Sequence, residues 1–481
     1  MYFDVIFGNP PFQKTDTRKK TQHKLWIDFT VKSVNDWLAP GGHLSWITPS
    51  SWSSPSNKVL SVFKDNDVMS IDLDTKKHFP DMGSTFSNYH IVKSNNDIET
   101  AVTKDGKQFK FFFNNSLMYV PSDVCKESLA IHKKVMFDAK KTLDVKYDYV
   151  TCHNVIRHAH AKNQKKIDAK LDSIKGCDDA EHACKIFDSV KSLISKKKTI
   201  KVTVSKTETT KHVYPLLHTN RQIWYSSIKQ DFHDKRKVMW SRSGYTKPFY
   251  DDGNLGCTDM GYYILVNSRT EGENLAHNLN LRLFKYVLKT AKWSGFGNEL
   301  VFTNMPKIPT TKKFTNQEMY NMFNITNSEI EYIESVLNPQ SKGKKPIKAS
   351  EIKSKERVKN IGEVYTPKEL VLEMLDQIPA SIWGDHTKKF IDPASGNGNF
   401  IVEIVNKKLD TGLTVAEAIS TTYGIDIMQD NVDECHERII ELLDNRNESY
   451  DLDEIRSLLK SRIVLNNALE ASMVDIFKEA I

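Results

Sequence analysis

The stretch that most constrains this chain is Asp392-Pro393-Ala394-Ser395-Gly396-Asn397-Gly398-Asn399-Phe400. It follows Phe390-Ile391-Asp392, which reads as a short strand, and precedes Ile401 to Lys408, which reads as a helix. Gly396 and Gly398 allow a tight turn and a close approach of backbone to a ligand. A glycine turn between a strand and a helix is the ligand position of a doubly wound α/β sheet. Tyr423-Gly424-Ile425-Asp426 reads as the next strand and ends on an acid, where nucleotide-binding folds hold ribose hydroxyls. The spacing is neither the dinucleotide G-x-G-x-x-G nor the phosphate-loop G-x-x-x-x-G-K-[ST].

A second strand-to-turn unit opens the chain. Phe3 to Gly8 is an apolar run, and Asn9-Pro10-Pro11-Phe12 follows it. The prolines stop strand and helix alike and stiffen the backbone. An amide therefore sits at the carboxyl end of a buried strand, on a rigid turn, with an aromatic ring close behind. The Asn9 side-chain oxygen and the Pro10 carbonyl can accept hydrogen bonds from an exocyclic amine, and Phe12 can stack on a planar ring.

Between these ends the sequence divides into an α/β start, a long middle and an α/β end. A helix is expected over His23 to Leu38, ended by Pro40-Gly41-Gly42, then a strand over His43 to Thr48. Ser50 to Pro55 can cap a helix that runs to Lys64, and strands follow at Val68 to Leu73 and Asn88 to Lys93. The last two strands have no helix between them, so an antiparallel pair at a sheet edge is expected. From about residue 100 to 345 basic and aromatic residues interleave, as in Lys107 to Phe113, Lys196 to Lys198, Lys235 to Lys237 and Arg242 to Tyr250. Gln317 to Val336 reads as one helix, and Asn338 to Pro346 as a linker. Beyond it, Thr366 is expected to cap a helix with Pro367 in its first position. A helix over Gln429 to Asp444 and a strand over Arg462 to Leu465 follow, then Asn466-Asn467-Ala468-Leu469. The expected domains are 1–98, 99–345 and 346–481.

Composition narrows the class. With 481 residues, 39% hydrophobic and 27% charged, the chain suits two or three globular domains. No apolar run approaches the ~20 residues of a membrane helix, and the first residues lack a signal-peptide pattern, so a cytoplasmic protein is expected. Six cysteines without paired spacing suit free thiols in a reducing compartment. The net charge of +7 is compatible with a nucleic-acid partner. Cys152, His153, His158, His160, Cys177, His182 and Cys184 fit no common zinc template, and no metal is expected. Glu351-Ile352-Lys353 has the E-x-K form of nucleases without a partner acid at a convincing spacing.

Asn9-Pro10-Pro11-Phe12 resembles the catalytic motif of amino-methyltransferases that act on adenine N6, and Asp392 to Gly396 resembles the S-adenosylmethionine loop of DNA adenine methyltransferases. Glu363-Val364-Tyr365-Thr366-Pro367 resembles the family's extra cofactor-contacting segment, and Asn467 stands where the family usually has an Asp. The middle resembles a restriction-modification recognition domain through Lys292 to Asn298 and Met305 to Pro309. The resemblance implies an S-adenosylmethionine-dependent, Rossmann-like sheet built from both chain ends, with an inserted DNA recognition domain. It implies Asn9, Pro10, Pro11 and Phe12 as catalytic residues. It implies cofactor contacts from Tyr365, Thr366, Pro367, Asp392, Ala394, Gly396, Gly398, Phe400, Asp426, Ile427 and Asn467. The expected reaction moves a methyl group to N6 of a flipped-out adenine in double-stranded DNA, with a separate restriction endonuclease as a partner. RNA adenine, a protein glutamine amide, or a catalytically dead DNA-binding subunit are the alternatives. A cytosine C5 enzyme would need a Pro-Cys nucleophile, and no such dipeptide occurs.

Overall fold

The computed structural model describes residues 1–12, 14–16, 21–55, 57–79, 85–114, 116–148, 151, 157–158, 201–242, 247–291, 304–338 and 365–478. The chain forms two compact units, Met1–Leu129 with Gln340–Ile481, and Ala130–Pro339.

The first unit is a mixed α/β structure around one large mixed sheet. Its strands are β1 (Phe3–Gly8), β2 (Leu38–Pro49), β3 (Asp67–Asp72), β4 (Phe86–Val92), β5 (Thr100–Lys104), β6 (Lys107–Phe111), β7 (Phe390–Asp392), β8 (Thr422–Asp426) and β9 (Ile463–Leu465). Among the described residues their order is β9-β8-β7-β1-β2-β4-β3-β5-β6. From β9 to β2 every neighbouring pair is parallel, with Val5 beside Phe390 and Gly8 beside Trp46. β4 runs antiparallel to both β2 and β3, and β5 and β6 form a hairpin. Parallel strands buried on both faces need apolar runs, and Phe3, Val5, Ile6, Phe7, Phe390 and Ile391 are all fully buried.

Chain direction along the sheet reverses between β7 and β1. From β7 the chain steps outward through β8 to β9, and from β1 it steps outward through β2 to the other side. Such a switch leaves a crevice at the carboxyl ends of the two central strands. Those ends are Asp392 and Gly8-Asn9. Aromatic packing locks the pair: Phe7 stacks between Trp383 and Phe400, with centroids 6.2 and 5.9 Å away. The Asp4 carboxylate accepts bonds from the Lys389 amide at 3.0 Å and Lys388 Nζ at 3.1 Å. Phe3 packs edge-on against Tyr423 and Phe477, at 5.3 and 6.4 Å.

Helices cover the sheet. They include α1 (Leu25–Lys32), α2 (Lys58–Lys64), α3 (Lys368–Leu375), α4 (Asn399–Asp410), α5 (Val415–Ser420), α6 (Gln429–Asn445) and α7 (Leu452–Arg462). Lys408 on α4 is buried, with its amine on the Thr421 and Thr422 hydroxyls at 2.7 and 3.3 Å. Burial pushes the pKa of this amine well down.

Several sequence expectations are corrected here. The expected helix over His23 to Leu38 is a strand at Thr21–His23, then α1, then a wide turn over Ser33–Trp37. Pro40 and Gly41 do not follow a helix but lie in the exposed start of β2, where the register with β1 shifts. The β3–β4 pair is antiparallel as expected, yet it is not an edge. β5 adds to β3 and β6 to β5, so the sheet includes residues expected beyond the 98/99 boundary. The unit runs on to Leu129. The reason is the alternation in Lys107 to Phe113: Phe111 and Phe113 turn inward, and Phe113 packs on Phe63 at 5.4 Å. The Cys152-to-Cys184 group, Lys196 to Lys198, Lys292 to Asn298 and Glu351 to Lys353 lie outside the described side chains.

The second unit pairs Tyr214–Leu217 with Ile223–Ser226 in a hairpin flanked by Val204–Ser205 and Gly256–Cys257. Lys237–Ser241 sits between Phe249–Asp251 and Gly261–Leu265 in a three-stranded sheet. The buried Lys237 amine pairs with Asp251 at 2.7 Å. The helix expected over Gln317 to Val336 is two, Asn316–Met322 and Asn327–Leu337. Asn324 turns left-handed at φ 52°, and a capping box from Thr326 to Glu329 starts the second. Among the described residues no helix is long and apolar enough to cross a membrane.

Candidate active site

One cavity lies at the switch point of the sheet. Asn9 and Pro11 contribute from the end of β1, and Asp392 to Gly396, Asn397, Asn399 and Phe400 from the turn between β7 and α4. Asp426, Ile427 and Met428 follow β8, and Asn466 to Glu470 follow β9. Tyr365 and Thr366 precede α3, and Leu25 and Phe29 face in from α1.

The glycine turn is held by specific bonds. Gly396 has φ +53° and Gly398 +87°, a region that favours glycine. The Gly396 amide donates to Asp426 Oδ2 at 2.9 Å, and Gly398 N to the Ser395 carbonyl at 2.9 Å. A Cβ on Gly398 would lie 2.3 Å from Cys435 Sγ, so α6 packs directly on the turn. Arg438 on α6 donates to the Asn397 carbonyl and to Asn399 Oδ1, at 2.8 and 2.7 Å.

Two acids with different environments face this cavity. Asp426 accepts from the Met428 amide at 2.9 Å and from Asn431 Nδ2 at 3.2 Å, besides Gly396. Asp392 is 1% exposed, and its Oδ1 accepts from the Ala394 amide at 3.0 Å. Burial, with the nearby Asp426 charge adding to it, pushes the Asp392 carboxyl up to about 8. Near neutral pH Asp392 is thus largely protonated and can donate a hydrogen bond. A Cβ on Gly8 would meet Asp392 Oδ1 at 2.9 Å and Trp46 Cζ3 at 2.7 Å. Glycine at the end of β1 is what lets the two turns meet.

The two turns are also tied through Thr366. Asn9 Nδ2 donates to Thr366 Oγ1 at 3.2 Å, and Asn399 Nδ2 to the Thr366 carbonyl at 2.9 Å. Thr366 does not cap α3, because Pro367 is extended (φ −59°, ψ 144°) and serves as the N-cap residue itself. Its hydroxyl is instead a support for Asn9.

The structure gathers Asn9, Pro11, Tyr365, Thr366, Asp392, Ala394, Gly396, Phe400, Asp426, Ile427 and Asn467 around the cavity. Pro10, Phe12, Pro367 and Gly398 do not line it. Phe12 is 8% exposed, its ring against Phe86 at 5.1 Å, so the stacking expected of it is not prepared here. Sequence reasoning misses Asn431. This residue joins Asp426 to the Tyr365 hydroxyl, which donates to Asn431 Oδ1 at 3.1 Å. Its only signal is a position in the first turn of the helix after an acid-ended strand. Leu25 and Phe29, spaced i and i+4, are readable only as helix core.

Residues 1–79 match the family model of the Eco57I restriction-modification methylase. No curated protein sequence matches the chain. Solved structures with weak likeness include the Type IIL restriction-modification enzyme MmeI in complex with DNA, at TM-score 0.30 and 10% identity over 70% of this chain and 50% of that one. The ATP-dependent Type ISP restriction-modification enzyme LlaBIII bound to DNA gives 0.30 and 10% over 69% and 28%. A DrdV–DNA complex gives 0.28 and 12% over 64% and 42%. The chain thus spans half or less of the length of each.

Proposed function

We propose that this chain transfers the methyl group of S-adenosylmethionine to N6 of an adenine flipped out of double-stranded DNA, with Ala130–Pro339 as the target recognition part. The observation that carries the reading is the shared cavity: Asn9, on its proline turn, and the Gly396 turn meet where the order of the parallel strands reverses. The order β9-β8-β7-β1-β2-β4-β3, with one antiparallel strand, supports a Rossmann-like methyltransferase sheet. The family model over residues 1–79 supports DNA over RNA or a glutamine amide.

The residues present suit the cofactor. Asp426, fixed by three donors, offers a carboxylate at the carboxyl end of β8 for ribose hydroxyls. The apolar side chains of Ile427, Phe29 and Leu25 can flank an adenine ring, and Asn467 can contact its edge. Protonated Asp392 and the turn backbone can hold the amino-acid end. Bound there, S-adenosylmethionine supplies a methyl group activated by its sulfonium.

Asn9 and Pro10 act on the target. The lone pair of the adenine amine is delocalised into the ring. Acceptors at Asn9 Oδ1 and the Pro10 carbonyl bias that nitrogen toward a tetrahedral form and localise its lone pair. The Thr366 hydroxyl holds the Asn9 amide by its nitrogen, which orients the oxygen as the acceptor for the amine. Attack then needs alignment rather than acid–base help. The target must leave the duplex to reach this depth. Phe12 supports the turn by packing on Phe86, and a separate restriction endonuclease would pair with this activity.

Asn9→Ala should lower methyl transfer to duplex DNA by about 10²-fold or more while calorimetry finds cofactor affinity unchanged. RNA and glutamine peptides assayed in parallel should stay unmethylated by the wild-type chain. A variant turnover above a tenth of wild type would overturn the role of Asn9. A wild-type chain that binds DNA without methylating it would favour a catalytically dead subunit.

A further inference from the structure

We infer that the hairpin tip Asn220-Arg221-Gln222, in the second unit, reads base edges in the major groove of duplex DNA, with Arg221 as its principal reader. The inference rests on the reading of this chain as one that acts on DNA.

The turn joins Tyr214–Leu217 to Ile223–Ser226, and Asn220 to Ile223 are all exposed. Asn220 has φ 54° and Arg221 φ 57°, both left-handed. Asparagine tolerates this region, whereas arginine there costs about 1–3 kcal/mol. Glycine would relieve the strain and give up only the side chain's contacts with the Phe249 ring and the Lys247 carbonyl. The chain keeps a long cationic side chain where the backbone would prefer none.

The strain is held by a defined scaffold. The His218 amide donates to the Gln222 carbonyl at 2.8 Å, and Gln222 N to the Thr219 carbonyl at 3.0 Å. The buried Ser241 hydroxyl donates to the His218 carbonyl at 2.6 Å and accepts from the Arg221 amide at 3.3 Å. The Arg221 guanidinium lies over the Phe249 ring, 4.5 Å from its centroid, and donates to the Lys247 carbonyl at 3.4 Å. The Phe249 ring and the Lys247 carbonyl both contact the guanidinium, on a side chain that is otherwise exposed. A fixed, planar fork is what bidentate recognition of guanine O6 and N7 requires. Gln222 beside it has the donor and acceptor pair that matches adenine N6 and N7.

The surroundings suit a polyanion. Between Lys201 and Asp252 the chain carries ten lysines and arginines against five acids, and three of those cations are paired: Lys229 with Asp234, Arg236 with Asp252 and the buried Lys237 with Asp251. Lys206, just past the flanking strand Val204–Ser205, sits over the ring of the hairpin residue Trp224 at 5.5 Å. The hairpin strands are the central pair of a four-stranded sheet, so it is the exposed tip that meets the major groove, which presents a distinct donor and acceptor pattern for every base pair.

The test is selection from a pool of randomised duplex DNA by the full chain, which needs no methyl transfer. The wild-type chain should enrich a defined sequence. Arg221→Ala should lose preference at one base pair by roughly 5- to 150-fold. Arg221→Lys should lose the same preference while keeping the salt dependence of binding, because charge remains and the fork does not. Arg221→Gly suits the left-handed backbone, so it should fold at least as well as wild type and still lose that preference. Lys206→Ala should instead weaken binding to all sequences alike and flatten the salt dependence. Unchanged preference in Arg221→Gly, or no enriched sequence from the wild-type chain, would overturn the inference. Loss of methylation with the selected sequence intact would overturn the proposed reaction and leave the hairpin assignment standing.

Discussion

The two turns at the switch point solve one problem in opposite ways. Each must carry polar groups out of a buried parallel strand and hold them against a cavity. The turn after β7 does it with freedom: Gly396 and Gly398 adopt left-handed backbone that other residues avoid, and their amides are spent on Asp426 and Ser395. The turn after β1 does it with stiffness: Pro10 and Pro11 fix φ near about −65°, and the Asn9 amide is tied to Thr366. The glycine turn therefore depends on packing and bonds from α6, and the proline turn on its own covalent geometry. Substitutions should tell them apart.

The largest effect is expected at Gly398. Alanine there meets Cys435 Sγ at 2.3 Å and its Cβ at 3.0 Å, on a backbone at φ +87°. Left-handed strain and overpacking together should cost about 2–5 kcal/mol, read from urea unfolding. The same substitution in a Cys435→Ala background should recover the Sγ part of the overpacking and leave the strain. A single variant within about 0.5 kcal/mol of wild type, the size of an ordinary surface change, would show that α6 does not brace the turn.

An effect smaller per pH unit belongs to Asp392, the acid that ends β7. Its carboxyl is raised to about 8 by burial, whereas the ordinary value is 3.8. Between those values the folded chain keeps a proton that the unfolded chain releases. Stability should therefore fall as pH rises from about 4 to 8, by up to about 1.4 kcal/mol per pH unit, and level off above. Asp392→Asn removes this proton and should flatten that slope in denaturant midpoints. An unchanged slope would mean that Asp392 is charged at neutral pH, and the donor role given to it would go with it.

How far the site can be read from sequence follows the same division. The glycine turn, the acid of β8 and the proline turn all stand out in the sequence, because each depends on residue types with few other uses at strand ends. Contacts made by side chains of ordinary helices do not. Asn431 bridges Asp426 and Tyr365 from a polar helix start that many helices share. Thr366 misleads for a related reason: a Thr-Pro pair looks like a cap, and only the extended Pro367 turns that hydroxyl toward Asn9. In the fold, β6 is hidden because lysines and phenylalanines mix over Lys107 to Phe113, and basic composition outweighs a period of two. The capping boxes Thr315 to Glu318 and Thr326 to Glu329 are legible signals that one long apolar period obscures.

The smallest effect belongs to the proline turn. Pro11 is half-buried and borders the cavity, and no strained backbone depends on it. Pro11→Ala keeps the Cβ, so it adds no clash. It widens the conformations open to the unfolded chain, which should cost about 0.4–1 kcal/mol of stability. The folded turn should also loosen, and Asn9 with it. Turnover on duplex DNA should then fall by more than the stability loss explains, while calorimetry finds cofactor affinity unchanged. Equal losses in turnover and cofactor affinity would place the role of Pro11 in the cavity wall rather than in holding Asn9. A stability loss as large as that of Gly398→Ala would end the contrast, because both turns would then depend on close packing.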